Sequence, residues 1–149
     1  MPLETIYTAV TGMTVISAGN TNLDGSRTTY NLLTGGANGT LIKSLIIKAQ
    51  VKTDPGMVRF FIKNTHTGGD DIATLILEVS IPFITPTDID CSYYNVIPIN
   101  YSLQKDDVLF CSTAIANAFT IVAEGLDWEY PESYTEPSIE YTARIGSGN

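Results

Sequence analysis

Residues 40–52 alternate between apolar and polar side chains. Leu45, Ile47, Ala49 and Val51 stand against Ser44, Lys48, Gln50 and Lys52, with Ile46 the one apolar residue on the polar side. A period of two with one wet face predicts a strand packed on one side only. Asp54-Pro55-Gly56 then turns the chain, because Pro pre-sets φ and Gly relieves the bend. Residues 57–64 repeat the pattern, with Val58, Phe60 and Ile62 opposing Arg59 and Lys63. Two such segments joined by a short loop read as a hairpin of long strands. In residues 72–82, Leu75, Leu77, Val79 and Ile81 oppose Thr74, Glu78 and Ser80. Ile97, Ile99 and Tyr101 mark a further strand, and Pro98 within it favours an edge or a bulge. Residues 108–114 and 118–124 read as a last pair, with Phe119, Ile121 and Ala123 facing inward.

The first third is less regular. Residues 5–18 are rich in Thr, Val and Ile and predict a strand, broken at Gly12. Residues 19–26 carry the turn chemistry of a loop, 27–34 read as a second strand, and 35–39 as another turn. The sum is about eight short strands, the number and spacing of an antiparallel β-sandwich. Eight antiparallel strands in two sheets is the jelly-roll count, though strand number alone leaves an immunoglobulin-like sandwich open. Composition agrees with an all-β domain. The chain has 19 Thr, 17 Ile and 8 Val against 11 Leu and 10 Ala. β-branched residues suit pleated, half-buried surfaces and lose rotamer freedom in helices.

The pattern changes at Asp127. Residues 127–149 lack the alternation of core strands, and they contain Trp128, Tyr130, Tyr134 and Tyr141. They also carry Asp127, Glu129, Glu132, Glu136 and Glu140 against Arg144, half of the chain's net charge of −8. The expected organisation is a β-sandwich domain over residues 1–126 and an extended aromatic, acidic arm over 127–149. Trp and Tyr supply rigid contact area with a polar handle, so the arm reads as an intersubunit contact.

Net charge also bears on function. An acidic chain is poorly matched to a phosphate backbone, so nucleic acid is not an expected partner. The basic residues Lys48, Lys52, Arg59 and Lys63 fall on the wet faces of two successive strands, a solvated face or a patch for an acidic protein partner. No apolar run approaches the ~20 residues of a membrane span, and the N-terminus lacks the basic and apolar regions of a signal peptide. The chain is therefore expected to be made in a cytoplasm.

Little in the chain suggests catalysis. The one histidine, His66, sits in a Gly-rich loop, and no Gly-x-Ser-x-Gly elbow accompanies it. The acidic pairs Asp70-Asp71, Asp88/Asp90 and Asp106-Asp107 all fall in turns, where a soluble β-domain places its charge. Cys91 and Cys111 are too few for a disulfide framework and read as small buried thiols. One segment, Asn20-x-Asn22-x-Asp24-Gly25, matches the opening of a calcium loop, with oxygen ligands at alternate positions and a glycine at the turn. Its twelfth position is Asn31 rather than a bidentate Glu, so an Asx-turn loop is the simpler reading. No cofactor is expected.

Four segments together suggest a relationship: residues 39–49, Pro55-Gly56-Met57-Val58-Arg59-Phe60-Phe61-Ile62, Leu77-Glu78-Val79-Ser80-Ile81-Pro82, and residues 114–127 around Asn117-Ala118-Phe119-Thr120-Ile121. Their order resembles small virion proteins of tailed bacteriophages, some of which look like auxiliary or decoration proteins of the capsid. The resemblance spans roughly residues 39–127. It implies a jelly-roll-like domain, a structural role in the virion, and the major capsid protein and other virion proteins as partners. A homo-oligomer is expected, a trimer at threefold positions first. On this reading the contact residues are Trp128, Tyr130, Tyr134, Tyr141, Arg59, Lys48 and Lys63. The rival expectation is a fibre module that stacks host glycans on Tyr93, Tyr94 and Trp128.

Overall fold

A computed structural model describes residues 6–64 and 72–129. They form eight strands: β1 (Ile6–Ile16), β2 (Tyr30–Thr34), β3 (Thr40–Ala49), β4 (Gly56–Asn64), β5 (Ile72–Ile81), β6 (Tyr94–Leu103), β7 (Val108–Thr113) and β8 (Phe119–Glu129). Two four-stranded antiparallel sheets result. Sheet A has the order β1-β8-β3-β6 and sheet B the order β2-β7-β4-β5. The pairs β1·β8, β2·β7, β3·β6 and β4·β5 each join strands whose numbers sum to nine. The chain is thus one long ribbon, doubled back between β4 and β5 and rolled into two layers. This is the eight-stranded jelly roll. Among the described residues no helix is long and apolar enough to cross a membrane.

The expected hairpin between residues 40–52 and 57–64 does not form. β3 pairs with β6 and β8, whereas β4 pairs with β5 and β7. The Asp54-Pro55-Gly56 corner carries the chain from one sheet to the other. There Thr53 donates through Oγ1 to the Pro82 carbonyl at 2.6 Å and exchanges backbone bonds with Ile84. The same correction applies to β7 and β8, consecutive strands that lie in opposite sheets. Local alternation tells which face of a strand is wet but not which neighbour completes its ladder.

Inward residues of both sheets build one core. Ile16, Ile42, Leu45, Ile47, Phe119 and Ile121 come from sheet A, and Val58, Phe60, Leu109 and Cys111 from sheet B; all are at 0% exposure. A β-bulge between Ile42 and Ser44 shifts the inward parity of β3. Thr40 and Ile42 point in before it, and Leu45, Ile47 and Ala49 after it. β3 ends at Ala49, so Val51, expected inside, is exposed.

Gly12 does not break β1. It sits where the two sheets approach, and a Cβ there would lie 1.8 Å from the Leu32 carbonyl oxygen. β6 is an edge strand, as Pro98 suggested, and Asn100 adopts a positive φ of 47° at its irregularity. At the C-terminal end β8 continues through Asp127, Trp128 and Glu129, which pair with Thr8, Tyr7 and Ile6. Three residues assigned to the arm therefore belong to sheet A. The buried Thr40 hydroxyl donates to Asp127 Oδ1 and accepts from the Gly36 amide. Residues 130–149, with Tyr130, Tyr134 and Tyr141, lie outside the described residues.

Candidate functional site

The two sheets meet through their inner faces, so what this molecule offers a partner is its outer faces and their ends. These differ in kind. On sheet B the outward residues of β4 are Arg59, Phe61 and Lys63. Phe61 is fully buried and stacks on Phe110 of β7, ring centroids 5.2 Å apart and planes 14° from parallel. Both rings lie on the side away from the main core, because their neighbours Phe60 and Leu109 point into it.

The connection between β1 and β2, residues 17–29, covers these rings. Gly25 reaches them in a left-handed conformation (φ 79°), and a Cβ there would lie 2.7 Å from Ala73 Cβ and 3.0 Å from the Phe110 ring. The covering loop is held from within by Asn20, which is nearly buried. Asn20 Nδ2 donates to the Ser26 carbonyl at 2.8 Å and to the Thr28 carbonyl at 2.7 Å, and Oδ1 accepts from the Asn22 amide at 3.0 Å. Asp24 Oδ1 accepts from the Ser26 amide and hydroxyl. Those bonds favour the ionised carboxylate and hold its pKa below the ordinary value. Asn22 Nδ2 donates to Ser26 Oγ at 2.8 Å.

The three oxygen-bearing residues of the calcium-like segment thus serve the Asx turns of this loop. Asn20 and Asp24 turn their oxygens to the loop's own backbone. Among the described residues no group of three or more His, Cys, Asp or Glu is placed to hold a metal.

Beside the loop lies an open cleft of about 300 Å³, lined in part by Asp24, Ser26, Asn31, Lys63 and Phe110. Further along, Arg59 Nε donates to Glu78 Oε2 at 3.1 Å. Arg59 Nη1 and the neighbouring Ser112 Oγ are buried with no hydrogen-bond partner among the described residues.

Among the described residues nothing covers sheet A in this way. Its outward side chains form transverse rows set by the register. Val15, Thr120, Lys48 and Tyr94 make one row, and Met13, Val122, Ile46 and Val96 the next. Thr11, Glu124, Ser44 and Pro98 follow, then Ala9, Leu126, Leu41 and Ser102. Tyr7 and Trp128 close the face, ring centroids 4.4 Å apart. The second row is apolar across all four strands. Met13 is 70% exposed, Val15 51%, Tyr94 58% and Val96 44%.

These placements revise the expected contact residues. Lys48 lies on sheet A, whereas Arg59 and Lys63 lie on sheet B, so the basic residues make no single patch. Lys48 Nζ donates to Ser92, and Arg59 is engaged by Glu78 rather than solvated. Tyr94 and Trp128 share a face but sit eight residues apart along it, on the order of 27 Å, too far to stack on one sugar ring. Tyr93 is half-buried against the core and accepts from Asn95 Nδ2 at 3.1 Å. Trp128 instead borders a second cleft of about 360 Å³ with Asn38, Gln104 and Lys105.

The carboxylates and thiols are placed as follows. Asp107 caps a turn by accepting from the Gln104 amide, and Asp90 accepts from Thr87 in an exposed loop. Cys91 is exposed, not buried as expected; Cys111 is in the core, where burial pushes its thiol up to about 12. His66 and the pair Asp70-Asp71 lie outside the described residues. Sequence reading passed over Met13, Val96 and Val122. The one available signal was Ile46, an apolar residue on a polar strand face.

No family model matches the chain, and neither does any curated protein. Similar solved structures include the CBM22-1 and GH10 modules of the Clostridium thermocellum N-terminal endo-1,4-beta-D-xylanase 10B complexed with xylohexaose. That likeness has 12% identity and a TM-score of 0.43 over 87% of this chain and 27% of that one. They also include infectious bursal disease virus, Gx strain (10% identity, TM-score 0.45, 88% of this chain and 34% of that one) and Gt strain (10%, 0.34, 95% and 47%). The chain spans less than half the length of each of these chains.

Proposed function

We propose that the chain is a structural component of a virus particle, an auxiliary coat protein of a tailed bacteriophage bound to the major capsid lattice. The observation that carries this reading is the outer face of sheet A. Among the described residues nothing covers the apolar row of this rigid jelly roll, whose ends Met13 and Val96 are exposed, while its sister sheet is covered by the chain's own loop. Large apolar surfaces rimmed by polar residues mark interaction sites. The ordered resemblance of residues 39–127 to phage virion proteins supplies the kind of assembly. Many weak copies on a lattice gain by avidity, so each contact can be modest. Cryo-electron microscopy of particles assembled with and without the chain tests this. Surface density missing from the second set is expected, and identical density rejects the assignment.

A second reading rests on the Trp128 cleft. An indole edge beside the amides of Asn38 and Gln104 and the Lys105 ammonium offers donors, acceptors and an apolar wall. A glycan would use such a mixture. Binding on a glycan array that is lost in Trp128→Ala supports this reading, and no binding by the intact chain removes it.

A further inference from the structure

We infer that the outer face of sheet A pairs with the same face of a second copy, across a two-fold axis lying along the row Met13, Val122, Ile46 and Val96. The inference rests on the coat-protein reading: it assigns this face to the contact between copies of the coat protein and leaves their contact with the lattice to the rest of the surface.

The first argument is shape and size. Four strands spaced ~4.8 Å apart and nine residues of ~3.4 Å rise give a face on the order of 19 by 27 Å. That is about 500 Å² of footprint per copy, or about 1,000 Å² for the pair, the lower bound of a specific interface. Two sheets of equal twist stack face to face at about −30°. An identical sheet is a ready match.

The second argument is charge. The chain carries −8, so copies repel each other unless they meet away from the acidic residues. The outward charges on these strands are Lys43 at the bulge, Lys48 and Glu124, a sum of +1. The centre of the contact is free of charge, as the cores of protein interfaces are.

The third argument is symmetry. A two-fold along the apolar row sets each copy's Thr11–Pro98 row against its partner's Val15–Tyr94 row. Glu124 of one copy then comes one strand away from Lys48 of the other, and the reverse contact forms on the far side of the axis. Met13, Val122, Ile46 and Val96 each meet their own counterpart, the isologous arrangement of a closed dimer. Neither Lys48 nor Glu124 has an oppositely charged partner among the described residues.

Sedimentation velocity on the full chain is the test. A dimer is expected for the wild type. Val122→Glu, which sets like charges face to face on the axis, is expected to weaken it at least tenfold. Ser80→Glu, on the outer face of sheet B, is expected to leave it unchanged. A second variant guards against misfolding: Met13→Cys in a Cys91→Ser background changes two side chains, both exposed. Under mild oxidation it should give a covalent dimer through the axis. A wild-type monomer at 100 µM, a trimer, or a dimer that ignores Val122→Glu and yields no cross-link overturns the pairing. A monomer that still decorates particles removes this inference alone. A dimer absent from particles removes the coat assignment alone.

Discussion

The outer faces of the two sheets start from the same problem and resolve it differently. Each carries apolar side chains on the side away from the core. On sheet B these are Phe61 and Phe110, and the chain covers them with its own loop, pinned by Asn20 and brought close by Gly25. On sheet A they are Met13, Val15, Ile46, Val96 and Val122, and no described segment covers them. The difference separates two uses of the same physics. An apolar cluster under a covalently attached loop stabilises the monomer at any concentration. An apolar row left open contributes only when another molecule arrives.

The largest effect should come from the covered face. Phe61→Ala removes a fully buried ring and leaves a cavity beneath the loop, at a cost of about 3–5 kcal/mol in urea unfolding. A loss under 1 kcal/mol would mean that the ring is not packed as described. Asn20→Ala should come next. It deletes three hydrogen bonds that organise residues 20–28, a loss of about 2–3 kcal/mol at roughly 1 each. Amide exchange in residues 20–29 should accelerate while the strands of sheet A stay protected; unchanged exchange would show that Asn20 does not hold the cover.

The core shared by both sheets gives a pH signature. Burial raises the Cys111 thiol to about 12 from an ordinary value of 9.0, so the folded state favours the protonated form. The stabilisation is complete below pH 9 and is lost as pH rises from 9 through 12, at up to about 1.4 kcal/mol per pH unit. Cys111→Ala should remove that component of the slope. Maleimide should label Cys91 at once and Cys111 only on unfolding. Rapid double labelling of the native chain would contradict the placement of Cys111.

The smallest effect belongs to the open face. Ile46→Thr, measured at concentrations too dilute for pairing, should change monomer stability by less than about 0.5 kcal/mol. A loss comparable to that of Phe61→Ala would show that the face is covered within the monomer, and the contrast between the sheets would collapse.

How much of this was readable in the chain follows from the range of each effect. Alternation in residues 44–49, 57–62 and 72–81 is a local property, and it located the strands and the inward side chains Leu45, Ile47, Val58, Phe60 and Ile62. Pro98, which lacks a ladder donor, pointed to an edge or a bulge, and β6 is an edge. The pairing of β3 with β6 and β8 depends on residues some fifty to eighty positions away, so the short Asp54-Pro55-Gly56 turn suggested a hairpin that is instead a corner. The bulge at Lys43 changes parity without any sequence mark, and Ile42 could not be placed. The outer row was hidden for a related reason. β1 carries apolar residues at both parities, Val10 and Ile16 inward and Met13 and Val15 outward, so no alternation shows which side is wet.

An all-β chain of about eight strands, the inward side chains of its central strands and its acidic balance are written in the residues alone, because period, propensity and charge act over a few residues. Which strands share a sheet, that Asn20, Asn22 and Asp24 build a cover, and that four apolar residues from four strands fall into one outward row are settled by the folded chain alone. Those outcomes rest on register between distant segments, and register is set when the whole core closes at once.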